Sequence, residues 1–458
     1  MAQPPAEKKS GEGFPLLTDA VTRESESLFV ENLLRGAKPP GEWMCGVELE
    51  LFGYDGARGM ERIDAAQVQQ VLAGFAPSSN DMVYEGGTLV ETGDGHKNRL
   101  TVEPGGQVEF SGAPQRRLAD VERELRRFLA RLSEIADANG LSFLAVGFDP
   151  LRRLDEQRWF PKLRYDVMRP YLAARGARAW DMMTRTCTVQ ANLDYGPPAD
   201  LRKKFLVGNR LAPVVTAVFA NSPFEAGRLS GWKSTRAAAW LDTDPDRTNL
   251  PPCAVGDDFA PRSYVSYALD VPMIFAHRGG RYLGAVSGVR FRDFLEQGRD
   301  GLRPVFGDWA DHLTTIFTDA RLKQHIELRS ADCNDLETSL SLQALWKGLM
   351  YDAASLDEAL RLAPRLGGDD ALLLRERAAR DGLAAQHAGV RLLPLARELV
   401  RLAAEGLGRI APDEVAYLDV LRQRVVVEGV SPADILLRNW EGSWHGSIQR
   451  AVEYLRAA

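Results

Sequence analysis

Met44-Cys45-Gly46-Val47-Glu48-Leu49-Glu50-Leu51-Phe52-Gly53 alternates strictly, with Glu48 and Glu50 on one face and Val47, Leu49 and Leu51 on the other. Side chains of a strand point to opposite faces in turn, so the segment reads as a strand with one polar and one apolar side. Two distant segments repeat it. In Leu100-Thr101-Val102-Glu103-Pro104-Gly105-Gly106-Gln107-Val108-Glu109-Phe110, Glu103 precedes a glycine turn, and Gln107 and Glu109 share a face. In His325-Ile326-Glu327-Leu328-Arg329, Glu327 and Arg329 share one. Parallel strands buried on both sides are nearly all apolar, and these are half polar. The expected fold class is therefore α+β, an antiparallel sheet with helices outside and a wet inner face. Like charges gathered on that face repel. A divalent metal with an anionic ligand such as a nucleotide polyphosphate would relieve the repulsion.

Outward from these strands the pattern is mixed. Residues 1–15 read as a disordered tail, and Asp19 to Arg35 as a first amphipathic helix. A helix follows at Asp64–Gly74. From Arg116 to Asn139 apolar residues fall at steps of three and four, a helix with Gly140 as its C-cap. Leu141–Phe148 is an apolar run read as a buried strand. Arg185 to Tyr195 alternates throughout, with Thr186, Thr188, Gln190, Asn192 and Asp194 on one face, as a solvated edge or a ligand-facing wall. Leu201–Phe219 reads as one helix, Asn221–Pro261 as a polar loop region, and Val271–Gly284 as a hairpin around Arg278-Gly279-Gly280. Beyond about Glu337 the pattern is helical. The expected organisation is a catalytic core over 16–335 and a helical C-terminal region over 336–458, parts of one domain.

The totals exclude several classes. The 458 residues, 45% hydrophobic and 26% charged, suit a globular protein with a large core. A net charge of -6 argues against a general nucleic-acid binder. The polar N-terminus lacks a signal peptide's apolar core, and no apolar run approaches the ~20 residues of a membrane span. A cytoplasmic protein without membrane contact is expected. The four cysteines show no C-x-x-C and the six histidines no H-E-x-x-H, so a zinc site and a disulfide scaffold are disfavoured, leaving buried free thiols.

No P-loop or G-x-G-x-x-G fingerprint occurs. Asp242-Thr243-Asp244-Pro245-Asp246 suggests a calcium loop, but Arg247 and Cys253 stand where glycine and glutamate are required. A single E-x-E strand is usually a solvated face; three carboxylate-bearing strands point to magnesium, which prefers hard oxygen ligands shared with phosphate. Arg236 and Arg247 flank Trp240, and each arginine reads either as a surface ion pair or as a two-pronged clamp on a substrate carboxylate.

Seven segments, in order through nearly the whole chain, then carry a resemblance. They are 100–114 (LTVEPGGQVEFSGAP), 181–194 (DMMTRTCTVQANLD), 219–224 (FANSPF), 240–248 (WLDTDPDRT), 267–273 (YALDVPM), 291–295 (FRDFL) and 312–332 (HLTTIFTDARLKQHIELRSAD). The chain resembles the plant and proteobacterial type of glutamate–cysteine ligase, among the glutamine synthetase-like ligases. It departs where plant members have Glu-His-Glu and this chain has Glu48-Leu49-Glu50, both carboxylates being kept. The resemblance implies a curved antiparallel sheet forming a funnel, and ATP-dependent joining of the glutamate γ-carboxyl to the cysteine amine through γ-glutamyl phosphate. It implies Glu48, Glu50, Glu103, Glu109 and Glu327 as ligands of Mg2+, with Mn2+ as an alternative ion, and Gln107 as a weaker contact to the nucleotide site. Arg329 is expected to stabilise phosphate charge. Arg236 and Arg247, with Trp240, are expected to hold glutamate, and Gln190 and Asn192 to line the funnel. The expected partners are glutamate, cysteine and ATP, in a monomer or homodimer. Glutathione and ergothioneine biosynthesis both stay open as the pathway, as does another acceptor amine. A two-metal hydrolase and a catalytically silent binding protein are the readings from other classes.

Overall fold

The computed structural model describes residues 16–457, so the tail expected over 1–15 lies outside the described residues. The organising element is β1 (Cys45–Asp55), eleven residues long because its apolar positions never break register. Val47, Leu49 and Leu51 are at most 3% exposed, and they form the apolar back on which the sheet rests.

The first half of β1 pairs with two strands and its second half with two others. The remaining labelled strands are β2 (Glu61–Arg62), β3 (Met82–Glu85), β4 (Thr88–Gly93), β5 (Arg99–Val102), β6 (Val108–Ser111), β7 (Leu141–Leu144) and β8 (Val189–Leu193). With a hairpin of strands Ala320–Leu322 and Ile326–Leu328 they make a ten-stranded sheet. Its order is 320–322, 326–328, β8, β1, β6, β5, β4, β3, with β2 and β7 on the distal half of β1. Every neighbouring pair is antiparallel, as the half-polar strands require, and the sheet does not close into a barrel.

Helices cover the apolar back. Ala65–Phe75 starts at a capping box, Asp64 accepting from the Ala66 and Gln67 N–H groups, and packs on β4. Leu118–Asn139 buries Leu118, Val121, Leu125, Phe128, Leu132 and Ile135, one face at steps of three and four, and ends at Gly140 with φ 65°. The helix Leu336–Met350 is buried on all sides, against β8, β1 and the helix Leu392–Ile410. Among the described residues no helix is long and apolar enough to cross a membrane.

Several elements differ from the sequence reading, each for a local reason. The first helix is Glu26–Leu34, after a short 3-10 turn capped by Thr22. Arg185–Tyr195 is not one strand: a helix, Ala179–Arg185, runs into it. The Thr184 and Thr186 hydroxyls donate back to the Trp180 and Met182 carbonyls, and Arg185 pairs with Asp181 one turn earlier. Leu201–Phe219 divides into Pro198–Arg210 and Ala212–Val218 because Pro213 has no N–H to continue the ladder. The Leu141–Phe148 run pairs as a strand only to Leu144, after which its N–H groups leave for Leu455 and Asn221 carbonyls. The expected hairpin shrinks to Ala276–Arg278 and Arg281–Leu283. Inside the supposed polar loop 221–261 lies a helix, Thr235–Leu241.

Candidate active site

Three rows of directly opposed residues cross the wet face of the sheet. Arg321, Glu327, Asn192 and Gly46 form the first. Gln190, Glu48, Ser111 and Arg99 form the second. Glu50, Glu109, Thr101 and Glu91 form the third. Over the rows lies a cavity of about 320 Å³, lined also by residues of the 162–168 segment, the helix Ala179–Arg185 and the helix Thr235–Leu241.

The cavity has two electrical halves. Glu48, Glu50, Glu103 and Glu109 lie at one side, and none has an ion-pair partner among the described residues. Their hydrogen bonds are to neutral donors: Asn192 Nδ2 to Glu48 (2.9 Å), the Thr188 N–H to Glu50 (2.9 Å), and Thr101 and Ser111 hydroxyls to Glu109 (2.7 and 3.1 Å). Burial, then the charges of Glu109 and Glu327, push Glu48 up to about 7. Burial and Glu103 push Glu109 up to about 6, and burial, Glu103 and Glu109 hold Glu50 well above the usual carboxylate range.

Glu327 is different. Arg321 and Lys323 hold its carboxylate, His325 Nε2 lies 3.3 Å away and Arg329 Nη1 3.7 Å away. Burial opposes its ionisation, but the charges of Arg321 and Lys323, then the His325 hydrogen bond, hold it well below the carboxylate range. Of the five glutamates expected as metal ligands, Glu48, Glu50, Glu103 and Glu109 are uncompensated, and Glu327 is already compensated by its own cations.

The turn that carries Glu103 is shaped by glycine. The Glu103 N–H donates to the Gln107 carbonyl and the Gly106 N–H back to the Glu103 carbonyl, both at 2.9 Å, and Gly106 has φ 78°. A Cβ on Gly105 would lie 2.4 Å from the Thr184 carbonyl oxygen, so only glycine lets the turn reach the Ala179–Arg185 helix. Gln107 spends its amide N–H groups on the Met183 and Thr186 carbonyls, and its Oε1 is buried without a partner.

The cationic half holds Arg236, Arg321, Lys323 and Arg329, and Lys162 and Arg164 also line the cavity. Arg329 donates from Nη1 to Gln190 Oε1 at 3.1 Å. Burial, then the charge of Arg321, lowers it to about 10, so it stays protonated at neutral pH. Arg236 donates from Nη2 to the Arg329 carbonyl at 2.8 Å, while its buried Nε has no acceptor. The Trp240 ring sits 5.8 Å from each of these guanidiniums, and its indole N–H is likewise without an acceptor. Two unanswered donors on one helix, four residues apart, suit a carboxylate ligand.

Two expected site residues are placed elsewhere. Arg247 is fully buried outside the cavity. Its five N–H groups go to Asp244 (2.6 Å), the Thr315 carbonyl (3.1 Å), the Thr315 hydroxyl (3.3 Å), the Tyr171 hydroxyl (2.8 Å) and the Pro272 carbonyl (2.6 Å), which leaves no donor for substrate. Asn192 does not line the cavity and instead orients Glu48 from the neighbouring strand. The Arg247→Met variant is expected to lose ~3–5 kcal/mol of stability, because Asp244 would keep a buried charge without its closest partner. Urea unfolding reads that loss, and glutamate KM in the folded fraction should stay near wild type. The sequence reading missed Lys162, Arg164, Arg321 and Lys323. Arg321 and Lys323 were legible, since they alternate around Leu322 as Glu48 and Glu50 do around Leu49.

Among the described residues no three histidine, cysteine, aspartate or glutamate side chains converge closely enough to hold a metal alone. The fit to a divalent cation is one of charge. Half-buried carboxylates without counter-ions lack positive charge, and magnesium commonly takes a few carboxylates and fills its remaining positions with water and phosphate oxygens.

The chain is similar to known proteins along nearly its whole length. The family described as Glutamate-cysteine ligase family 2 matches residues 44–454. The chain is 37% identical to the chloroplastic glutamate–cysteine ligase of Brassica juncea, over 99% of this chain and 87% of that protein. It is 35% identical to the chloroplastic glutamate–cysteine ligase B of Oryza sativa subsp. japonica, over 96% and 88%. In fold it is similar to the glutamate–cysteine ligase of Francisella tularensis crystallised with AMP, at a TM-score of 0.54 and 13% identity, covering 91% of this chain and 89% of that one. These relatives correct one expectation. The cytoplasmic placement inferred from the N-terminus and the lack of a membrane span does not stand, because the similar plant enzymes are named as chloroplastic.

Proposed function

Because the chain belongs to glutamate–cysteine ligase family 2, we propose that this cavity joins the γ-carboxyl of L-glutamate to the amine of L-cysteine, with ATP as the activating substrate. The product is γ-glutamylcysteine, made in the first step of glutathione biosynthesis. The observation that carries the reading is the division of one buried cavity into a carboxylate half without counter-ions and a guanidinium half with unspent donors. The first half suits a metal-bound polyphosphate and the second an anionic amino acid.

An amine cannot displace oxide from a carboxylate, so the γ-carboxylate first attacks the γ-phosphorus of ATP and ADP leaves. The cysteine amine then attacks the acyl carbon, phosphate departs with the C–O electron pair, and the amine loses a proton. Phosphoryl transfer asks for positioning and charge neutralisation, not a protein nucleophile. Arg329, fixed by Gln190, holds the transferred group's charge, with Arg321 and Lys323 beside it. Arg236 and Trp240 hold the glutamate carboxylate. Glu48, Glu50, Glu103 and Glu109 are the groups that would hold Mg2+, or Mn2+ in its place. When bound, the ion neutralises phosphate charge. Glu327 joins the halves by keeping Arg321, Lys323 and Arg329 in one array. Gln107 braces the Glu103 turn. The helical residues 336–457 belong to the same working unit as 16–335, since Gln343 on the helix Leu336–Met350 donates to the Gln190 carbonyl from behind (2.9 Å).

The test follows the oxygen. With glutamate labelled by oxygen-18 in its γ-carboxyl, one label passes to inorganic phosphate as the amide forms. AMP and pyrophosphate as products, phosphate free of label, or turnover without ATP would each overturn the reading.

A further inference from the structure

Asp332 lies outside the cavity, 1% exposed, yet three donors converge on it. Its Oδ2 accepts from the Ser222 hydroxyl at 2.6 Å and from the Asn221 N–H at 2.8 Å, and its Oδ1 accepts from the Ser234 hydroxyl at 2.7 Å. Both serines pass the contact on to the N-terminus of the helix Thr235–Leu241. Ser234 is its N-cap and accepts from the Ala237 N–H at 3.0 Å. Ser222 Oγ accepts from the Arg236 N–H at 3.3 Å. The backbone is built for the approach: a Cβ on Gly147 would lie 2.4 Å from Asp332 Cγ.

A hydroxyl has one proton to give and two lone pairs. Because the carboxylate takes the proton of each serine, the lone pairs of both are left for the helix N–H groups. Only an acceptor-only group does this for two hydroxyls at once. The helix so fixed carries Arg236 and Trp240, two of the three cavity-lining side chains with an unanswered donor, Arg164 Nε being the third. Arg236 is thereby held at both ends, its backbone through Ser222 and its guanidinium by the carbonyl of Arg329.

We propose that Asp332 is a positioning residue for the amino-acid substrate, setting the Arg236–Trp240 pair through Ser222 and Ser234. This rests on the reading that the pair holds glutamate. Asp332→Asn keeps the shape but turns one acceptor into a donor, so one serine must turn its proton away from residue 332 and give one of its two lone pairs to the new N–H, which weakens its hold on the helix N–H. Glutamate KM is expected to rise roughly 30-fold, the loss of one or two buried hydrogen bonds to a charged group, while Mg-ATP KM moves less than about threefold. If Asp332→Asn does not fold, Ser234→Ala is read instead, with about tenfold expected, and Ser234→Thr, which keeps the hydroxyl, restores the value. The deciding measurement is a double-mutant cycle with Trp240→Phe, which keeps a ring and removes the indole N–H. Coupling between Asp332→Asn, or Ser234→Ala, and Trp240→Phe in glutamate KM supports the proposal. The same coupling in the KM of cysteine or ATP keeps the positioning role and removes the glutamate assignment. Strictly additive effects, or a uniform loss that follows stability alone, overturn it.

Discussion

Glu50→Gln and Glu109→Gln are expected to lower kcat by roughly a thousandfold while making the metal-free protein more stable. The two effects have one cause. Glu50 and Glu109 stand directly opposite each other on neighbouring strands, half-buried, with Glu48 and Glu103 beside them and no cation within ion-pair distance among the described residues. Like charges so placed destabilise the sheet, and glutamine keeps the shape while removing one of them. Catalysis loses an anion that would hold the metal against the polyphosphate, and ~4 kcal/mol in the transition state corresponds to a factor near a thousand. Opposite signs for activity and stability mark a site kept under strain for its chemistry.

The same carboxylates set a pH dependence. Glu48 titrates near 7 in the fold against 4.5 unperturbed, a raised acid pKa. Its contribution to the metal-free fold is full below about 4.5 and is lost as pH rises through about 7, where the fold must carry the extra charge. Metal binding has the reverse slope, since protons on Glu48 and Glu109 must leave first, so Mg2+ affinity rises between pH 6 and 8. In Glu109→Gln the Glu48 carboxyl loses a repelling neighbour, and the rise moves to lower pH. Near-normal turnover in a folded Glu109→Gln protein, with an unmoved magnesium profile, would remove the carboxylate half from the mechanism.

How much of this was legible in the chain depends on the distance over which each feature is determined. Alternation is local, so Glu48 and Glu50 on β1, Gln107 and Glu109 after the glycine turn, and Glu327 beside Arg329 could be placed on faces before any pairing was known. The antiparallel sheet followed from the same half-polar strands. The helix Thr235–Leu241 was overlooked because seven residues give too little periodicity, although Ser234 and three alanines mark it. Arg247 shows the limit most clearly. It and Arg236 flank the same tryptophan in an aspartate-rich stretch, and nothing local separates them. Thr315, Tyr171 and Pro272 enclose Arg247 from remote parts of the chain, whereas Arg236 is left with a spare donor. The compensation of Glu327 is likewise a matter of register, since Arg321 meets it only when the 320–328 hairpin is paired.

Arg329→Lys is expected to lower kcat by roughly a hundredfold or more, with smaller changes in the KM of glutamate and ATP. Arg329 presents a planar guanidinium held by Gln190 and set against the Trp240 ring, so its remaining donors are already oriented when charge shifts onto the transferred phosphoryl group. Lysine keeps one positive charge but not the fork, and that loss falls mainly on the transition state. A second consequence separates this role from simple ground-state binding. Burial and Arg321 draw the arginine down to about 10, from a group normally protonated far above that. A lysine in the same surroundings starts from ~10.4 and is drawn below it by the same burial and the same neighbouring charge. The variant's kcat should therefore fall with rising pH, through loss of the lysine proton, at a lower pH than any fall in wild type, where Arg329 stays charged at neutral pH. An unchanged kcat with a raised glutamate KM would instead move Arg329 to ground-state recognition of the amino acid. A lowered kcat that is flat with pH would show that the fork alone, and not the charge, governs the step.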